Sequence, residues 1–241
     1  MEGSAVESFK RMQSKKVLLF DIDGTLLLTG GCGKIALERA FLDCFQIENA
    51  WGNLMPDGKT DPNIIDEIAE ASLNRTLSPK EHAKICELYL LYFVREIERA
   101  QQFRLMPGVT QLLEILAERK DVLLGVATGN LEPAGWQKLT RGKIRHFFEF
   151  GGFGSDSRNR SEIIQTAIHR AEQISGEKIP KENIFVIGDT HHDVRAANQL
   201  GVKAIAVATG SYDADHFMRT GRPSHVLSDL SIADHFLKLI N

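Results

Sequence analysis

Cysteine is scarce: the 241 residues contain three, Cys32, Cys44 and Cys86. An odd number with no CxxC spacing argues against a disulfide framework or a zinc site and leaves three reduced thiols, expected as small buried apolar side chains in a cytoplasmic protein. Positive charge is not in excess either. Lysine and arginine total 29 against 32 acidic residues, a net charge of −3, so no basic field is available to hold nucleic acid. A long apolar segment is missing from the opening MEGSAVESFKRMQSKK, so neither a signal peptide nor a membrane anchor is expected there, and the stretch reads as a frayed, partly helical tail. No internal repeat, low-complexity tract or long linker occurs. What is present, 43% hydrophobic and 25% charged residues, suits a globular protein long enough for one large domain or a core with a smaller insert.

Short apolar runs recur along the chain: KVLLFDID at 16 to 23, VLLGVAT at 122 to 128, FFEFGGF at 147 to 153, IFVIGD at 184 to 189 and KAIAVA at 203 to 208. Continuous Val, Ile, Leu and Phe bounded by Gly, Asp or Thr mark strands buried on both faces of a parallel sheet. Helical patterns lie between them. Pro107 and Gly108 open a helix with Val109, Leu112, Leu113 and Leu116 on one face, and Ser161 to Ile174 repeats the pattern with Ile163, Ile164, Ala167, Ile168 and Ala171. The fold class expected is α/β, a doubly wound, Rossmann-like parallel sheet. From about Leu28 to Arg104 the strand pattern stops, and at least three amphipathic helices are expected, at Gly33 to Phe45, Pro62 to Leu73 and Pro79 to Gln102. The economical reading is a helical insert, residues 29–103, between core segments 1–28 and 104–241.

Polar residues cluster where the strands end: Asp21 and Asp23 after the first, Thr128 after the second, GSDSRNR after the third and Asp189 after the fourth. Ligands of open α/β sheets bind beyond the carboxyl ends of the strands, so these groups converge. Asp21, Asp189 and Asp193, the last one helical turn further on, form an all-oxygen set suited to Mg²⁺, whereas Asp189 alone would read as a helix cap. The DxD spacing puts Asp21 and Asp23 on one face of extended chain, the arrangement for a nucleophile beside its acid/base partner. Gly24 lets the backbone turn close to a phosphate, and Thr25 offers a hydroxyl.

DIDGT at 21 to 25, the threonine closing GVATGN and GDTHHD at 188 to 193 resemble motifs one, two and four of the haloacid dehalogenase superfamily, in order and over nearly the whole chain. The resemblance, to the branch of phosphoglycolate phosphatase and β-phosphoglucomutase, implies a Mg²⁺-dependent phosphatase of a small phosphorylated metabolite. Asp21 would be the nucleophile, Asp23 the acid/base whose carbonyl also binds Mg²⁺, and Thr128 the hydroxyl holding phosphoryl oxygens. Asp189 would ligate the metal with Asp193, while Gly129 and Asn130 join Gly24 and Thr25 as substrate contacts. The usual motif-three lysine is absent. Arg158 and Arg160 stand where it belongs, and Arg160, opening the helix SEIIQTAIHRA, is the better placed, since a guanidinium neutralises carboxylate and phosphate together.

The insert resembles the type-one helical cap of that superfamily, a lid that excludes water and selects substrate. Its loop GKTDP supplies Lys59, Thr60 and Asp61 as candidate substrate contacts, with Asp61 also a plain helix N-cap; Lys34 and Arg104 are weaker candidates. GGCGK at 30 to 34 lacks the first glycine and the hydroxyl of a phosphate-binding P-loop, and GGFGSDS lacks the third glycine of a dinucleotide fingerprint. His191 and His192 read as exposed loop histidines, and Trp51 and Trp136 as packing residues. A mutase, or a phosphonate hydrolase using Lys34 or Lys59, stays open as an alternative. A 2-haloacid dehalogenase needs neither Asp23 nor metal, and a non-catalytic binding protein would not be expected to keep both Asp21 and Asp189. A monomer or weak homodimer acting on a small molecule, without nucleic acid or membrane, completes the expectation.

Overall fold

The structure is a computed structural model describing residues 15–241. The tail before residue 15, read above as frayed, lies outside the described residues. Strand β1, Lys16–Phe20, pairs in parallel with β4, Val122–Ala127, on one side and β6, Ile184–Gly188, on the other. Adding β5 (Phe150–Gly152), β7 (Lys203–Val207) and β8 (His225–Leu227) completes a parallel six-stranded sheet in the order β5-β4-β1-β6-β7-β8. The order reverses at β1, which places the ends of β1, β4 and β6 side by side, as a topological switch point requires.

Both faces of the sheet are covered because its strands alternate apolar residues to each side. Leu18 and Phe20 point to one cluster with Leu112, Leu113 and Leu116 of α4, Val109–Ala117, and Phe236 of α9, Ala233–Ile240. Val17 and Leu19 point to the other, with Ile163, Ile164 and Ala167 of α6, Arg160–Ser175, and Ala197 of α7, His191–Leu200. Burial of this kind stabilises by roughly 25 cal/mol per Å² of apolar surface.

The stretch between β1 and β4 holds α1 (Cys32–Phe45), α2 (Asp61–Leu73) and α3 (Pro79–Arg99). Ser78 starts α3 as sequence rules demand: its hydroxyl accepts from the Glu81 N–H, Glu81 accepts from the Ser78 N–H, and Pro79 fills the first turn. These helices share a third apolar cluster, including Leu37, Phe41, Ile65 and Phe93, which Leu131 and Ala134 join from α5, Glu132–Arg141, and the loop before it.

Several elements differ from expectation. The insert is framed by a two-residue antiparallel ladder, β2 (Leu27–Leu28) with β3 (Arg104–Leu105), too short to leave a periodic signal. The FFEFGGF strand shrinks to Phe150–Gly152 because Arg145–Phe147 coils into a 3₁₀ turn. Strand β8 is an added sixth strand, an edge segment of three residues opening on an exposed histidine. Only Cys32 of the three free thiols is fully buried; Cys44 and Cys86 are half-buried at the edge of the insert's cluster, where lining a helix face needs only partial cover. Among the described residues no helix is long and apolar enough to cross a membrane.

Candidate active site

The chain leaves β1 with the Asp21 N–H donating to the Ile187 carbonyl, so Asp21 is held at the strand end next to β6. Gly24 then turns at φ +81°, and a Cβ there would overlap the Asp189 carboxylate; one at Gly210 would do the same. Two glycines thus bring backbone against one carboxylate. Thr25, expected against a phosphate, is fully buried and donates its hydroxyl to Asp189 Oδ1 at 3.0 Å, so the structure assigns that hydroxyl to orienting Asp189 instead. Thr190 is the N-cap of α7 and shares a capping box with Asp193, which frees Asp189 from a capping role.

Asp21, Asp189 and Asp193 are all buried and present carboxylate oxygens within 4.8 Å of one another. Against them, among the described residues, stands one buried cation. Arg160 Nη2 lies 3.3 Å from Asp21 Oδ2, and its Nε lies 3.0 Å from Asp193 Oδ1 in an ion pair not aligned as a hydrogen bond, leaving that oxygen without a donor. One guanidinium cannot balance three carboxylates. Burial pushes the Asp21 carboxyl up to about 7, with Asp193 and Asp23 adding to the rise and Arg160 opposing it, and burial together with Asp21 drives Asp189 well above the usual carboxylate range. A buried all-oxygen set with uncompensated negative charge, cradled by two glycines, fits a hard divalent cation such as Mg²⁺. Arg158 faces elsewhere: it pairs with Asp66 of the insert at 2.8 Å, with its side chain half exposed.

Asp23 turns away from that centre. Its Oδ2 accepts from Asn130 Nδ2 at 2.8 Å and from Lys138 Nζ at 2.6 Å, so its carboxylate is not part of the metal-type cluster and only its carbonyl remains for the ligand role expected of it. Asn130 Nδ2 also donates to the Thr128 hydroxyl at 2.6 Å, which fixes that side chain at the end of β4. Lys138 is a site residue that no motif marks. It lies mid-helix in WQKLTRGK, where a lysine ordinarily snorkels to water, yet it is 5% exposed.

The loop before α2 closes the site from above. Thr60, not Asp61, caps α2, its hydroxyl accepting from the Asn63 N–H at 3.3 Å, and Thr60 is buried and does not line the cavity. Asp61 instead spans the seam: its N–H donates to the Gly129 carbonyl and its Oδ2 accepts from the Leu131 N–H, both at 2.8 Å. Gly129 packs so closely on the Lys59 carbonyl that it serves this seam as well as the cavity wall. Lys59 lines the cavity but is tied to Glu67 at 2.6 Å. His192 is not an exposed loop residue; both histidines are half-buried in the first turn of α7, and the His192 ring packs on Gly58 of the insert. Trp51 lines the cavity, while Trp136 packs against Phe153. The cavity, partly open to solvent, is about 500 Å³, and Lys34 and Arg104 lie in its wall.

Burial pushes the Asp61 carboxyl up to about 6, partly offset by Lys138 and the Leu131 N–H. A raised carboxyl pKa means its contribution to stability is full below the unfolded value near 4 and is lost as pH rises through about 6. The penalty at pH 7.5 is of order 3 kcal/mol at 1.4 kcal/mol per unit. Asp61→Asn keeps an acceptor for Leu131 without the charge. Its apparent Tm is therefore expected to exceed wild type by several degrees at pH 7.5, with the difference vanishing near pH 4; thermal melts across pH read this directly.

Sheet, switch point and buried carboxylates define an α/β enzyme whose centre lies at the carboxyl edge of its strands. The chain belongs to the haloacid dehalogenase-like hydrolase family, whose model matches residues 18–207. It is 25% identical over 232 residues to a phosphoglycolate phosphatase of Mesorhizobium japonicum, covering 89% of this chain and 91% of that one. It is 27% identical over 209 residues to tyrosine-protein kinase PtkA of Mycobacterium tuberculosis, covering 86% and 67%. CbbY of Rhodobacter sphaeroides, crystallised with xylulose-(1,5)bisphosphate, shares the fold at a TM-score of 0.71 and 19% identity, over 90% of this chain and 96% of that one.

Proposed function

We propose that the protein is a Mg²⁺-dependent phosphatase of small phosphate monoesters that works through an aspartyl-phosphate on Asp21. The observation that carries this is the buried Asp21, paired with Arg160 and set beside Asp189 and Asp193, in a partly open cavity of about 500 Å³. That volume suits a metabolite rather than a polymer. Relatives named phosphoglycolate phosphatase support a small, acidic monoester as the substrate.

An Asp21 oxygen attacks phosphorus while the bond to the leaving oxygen breaks, and Asp23 delivers a proton to that oxygen. Asp23 then takes a proton from water as the water oxygen attacks the same phosphorus, releasing Asp21 and inorganic phosphate. Arg160 and the Thr128 hydroxyl hold charge on the transferring group. Asp21, Asp189, Asp193 and the Asp23 carbonyl would hold Mg²⁺, which when bound supplies neutralising charge to the phosphoryl oxygens. The phosphonate alternative loses support because Lys59 is ion-paired to Glu67 and Lys34 is half exposed, so neither is a desolvated amine.

The test is release of phosphate from a chromogenic aryl phosphate with Mg²⁺ and with chelator, followed by a panel of phosphorylated metabolites. Turnover is expected only with the metal, with an alkyl monoester among the best substrates. Metal-independent turnover, or phosphoryl transfer to a hydroxyl acceptor with no phosphate released, would overturn the reading.

A further inference from the structure

The geometry points to Lys138 as a positioning residue for Asp23, an inference that rests on the acid/base role given to Asp23 above. Three contacts converge on one small triangle. Lys138 Nζ donates to Asp23 Oδ2 at 2.6 Å, Asn130 Nδ2 donates to the same oxygen at 2.8 Å, and Lys138 also donates to Asn130 Oδ1. Both bonds to Asp23 fall on Oδ2; among the described residues none falls on Oδ1. The Asp23 side chain is 41% exposed toward the cavity, whereas that of Lys138 is 7% exposed.

A half-exposed carboxylate on a turn samples rotamers freely unless something holds it. Here one oxygen is tied down from behind by a fixed cation and a fixed amide, which leaves Oδ1 as the oxygen that carries the proton to the leaving group and turns it toward the substrate. The cation is itself fixed. Its stem runs out of α5, its head lies 5.7 Å from the centre of the Phe93 ring on α3, and Asp61 of the insert lies close enough for its charge to act on it. A lysine that only filled space or only met solvent would need none of these partners. Position of the acid matters most where the departing oxygen is a poor leaving group, because such an oxygen must receive its proton as the bond to phosphorus breaks.

The experiment compares kcat/KM, which reports the first phosphoryl transfer, for p-nitrophenyl phosphate and for 2-phosphoglycolate in wild type, Lys138→Met, Lys138→Arg and Asp23→Asn. Lys138→Met is expected to lower kcat/KM about 100-fold for the alkyl ester and less than about 3-fold for the aryl ester, whose leaving group needs no proton. Inhibition by inorganic phosphate is expected to stay within about twofold, Lys138→Arg to recover part of the alkyl activity, and Asp23→Asn to show the same leaving-group selectivity with a larger loss. An equal loss on both esters, or weaker phosphate inhibition in step with the loss, would make Lys138 a structural or phosphate-binding residue and overturn the inference while leaving the phosphatase reading intact. Absence of leaving-group selectivity in Asp23→Asn would remove the acid role of Asp23 from the proposed mechanism and overturn the inference with it, while metal-dependent phosphate release would still report the phosphatase. Melting curves and the Lys138→Arg variant separate these outcomes from a failure to fold.

Discussion

Asp21→Asn is expected to abolish turnover, by at least about four orders of magnitude, while the protein stays folded. A carboxylate that forms the covalent intermediate has no substitute in an amide, and groups acting as one unit lose nearly everything when the nucleophile goes. Stability moves the other way. Burial pushes the Asp21 carboxyl up to about 7, so without metal its stabilising contribution is lost as pH rises through that value. The metal-free variant should accordingly melt at or above the wild-type temperature at pH 8, and the rise in Tm that Mg²⁺ gives the wild type should shrink. A variant inactive because it is misfolded would melt lower, so one pair of measurements separates loss of chemistry from loss of structure.

Arg160→Ala should cost both activity and stability. The guanidinium is the buried cation facing Asp21 and Asp193, at 3.3 Å and 3.0 Å, and removing it leaves carboxylates unpaired in a dry site. Breaking a buried ion pair from one side costs about 3–5 kcal/mol. Losing a fixed donor to a transferring phosphoryl group costs about 10²–10³ in kcat. Arg160→Lys keeps the charge without the two-pronged geometry and should fall between. Arg158→Ala, whose partner Asp66 sits on the surface of the insert, should keep activity within a few-fold and change stability by less than about 1 kcal/mol. Steady-state kinetics and thermal melts of the three variants check the assignment, and equal losses for Arg158 and Arg160 would contradict it.

These two residues illustrate what the sequence makes legible. Asp21 and Asp189 follow uninterrupted apolar runs, and a strand buried on both faces can only deliver its next polar residue to the sheet edge, so position follows from pattern. Arg160 is legible for a related reason: it opens a strongly periodic helix, and a helix start next to a strand end has few places to go. Lys138 leaves no such trace. It occupies a helical position where a surface lysine is ordinary, and its burial arises from α3 and the loop at Asp61, which pack over it from an earlier, distant segment of the chain. Thr25 and Thr60 were legible as hydroxyls but not as to their partners, because an Asp189 carboxylate and a local N–H compete for them with equal chemistry. Strands β2, β3 and β8 are too short to show a period: β2 and β3 pair only with each other, and β8 forms as an edge against the longer β7.

The most direct test is whether phosphorus passes through Asp21. Asp23→Asn slows removal of the phosphoryl group by water, so acid quenching during its turnover of an aryl phosphate should trap the intermediate for peptide mass spectrometry. The expected result is one added phosphoryl group on the peptide carrying Asp21, absent when Asp21 is also replaced by asparagine. Phosphate release with no covalent phosphoryl on the protein, or with the group on His191 or His192 instead, would contradict it.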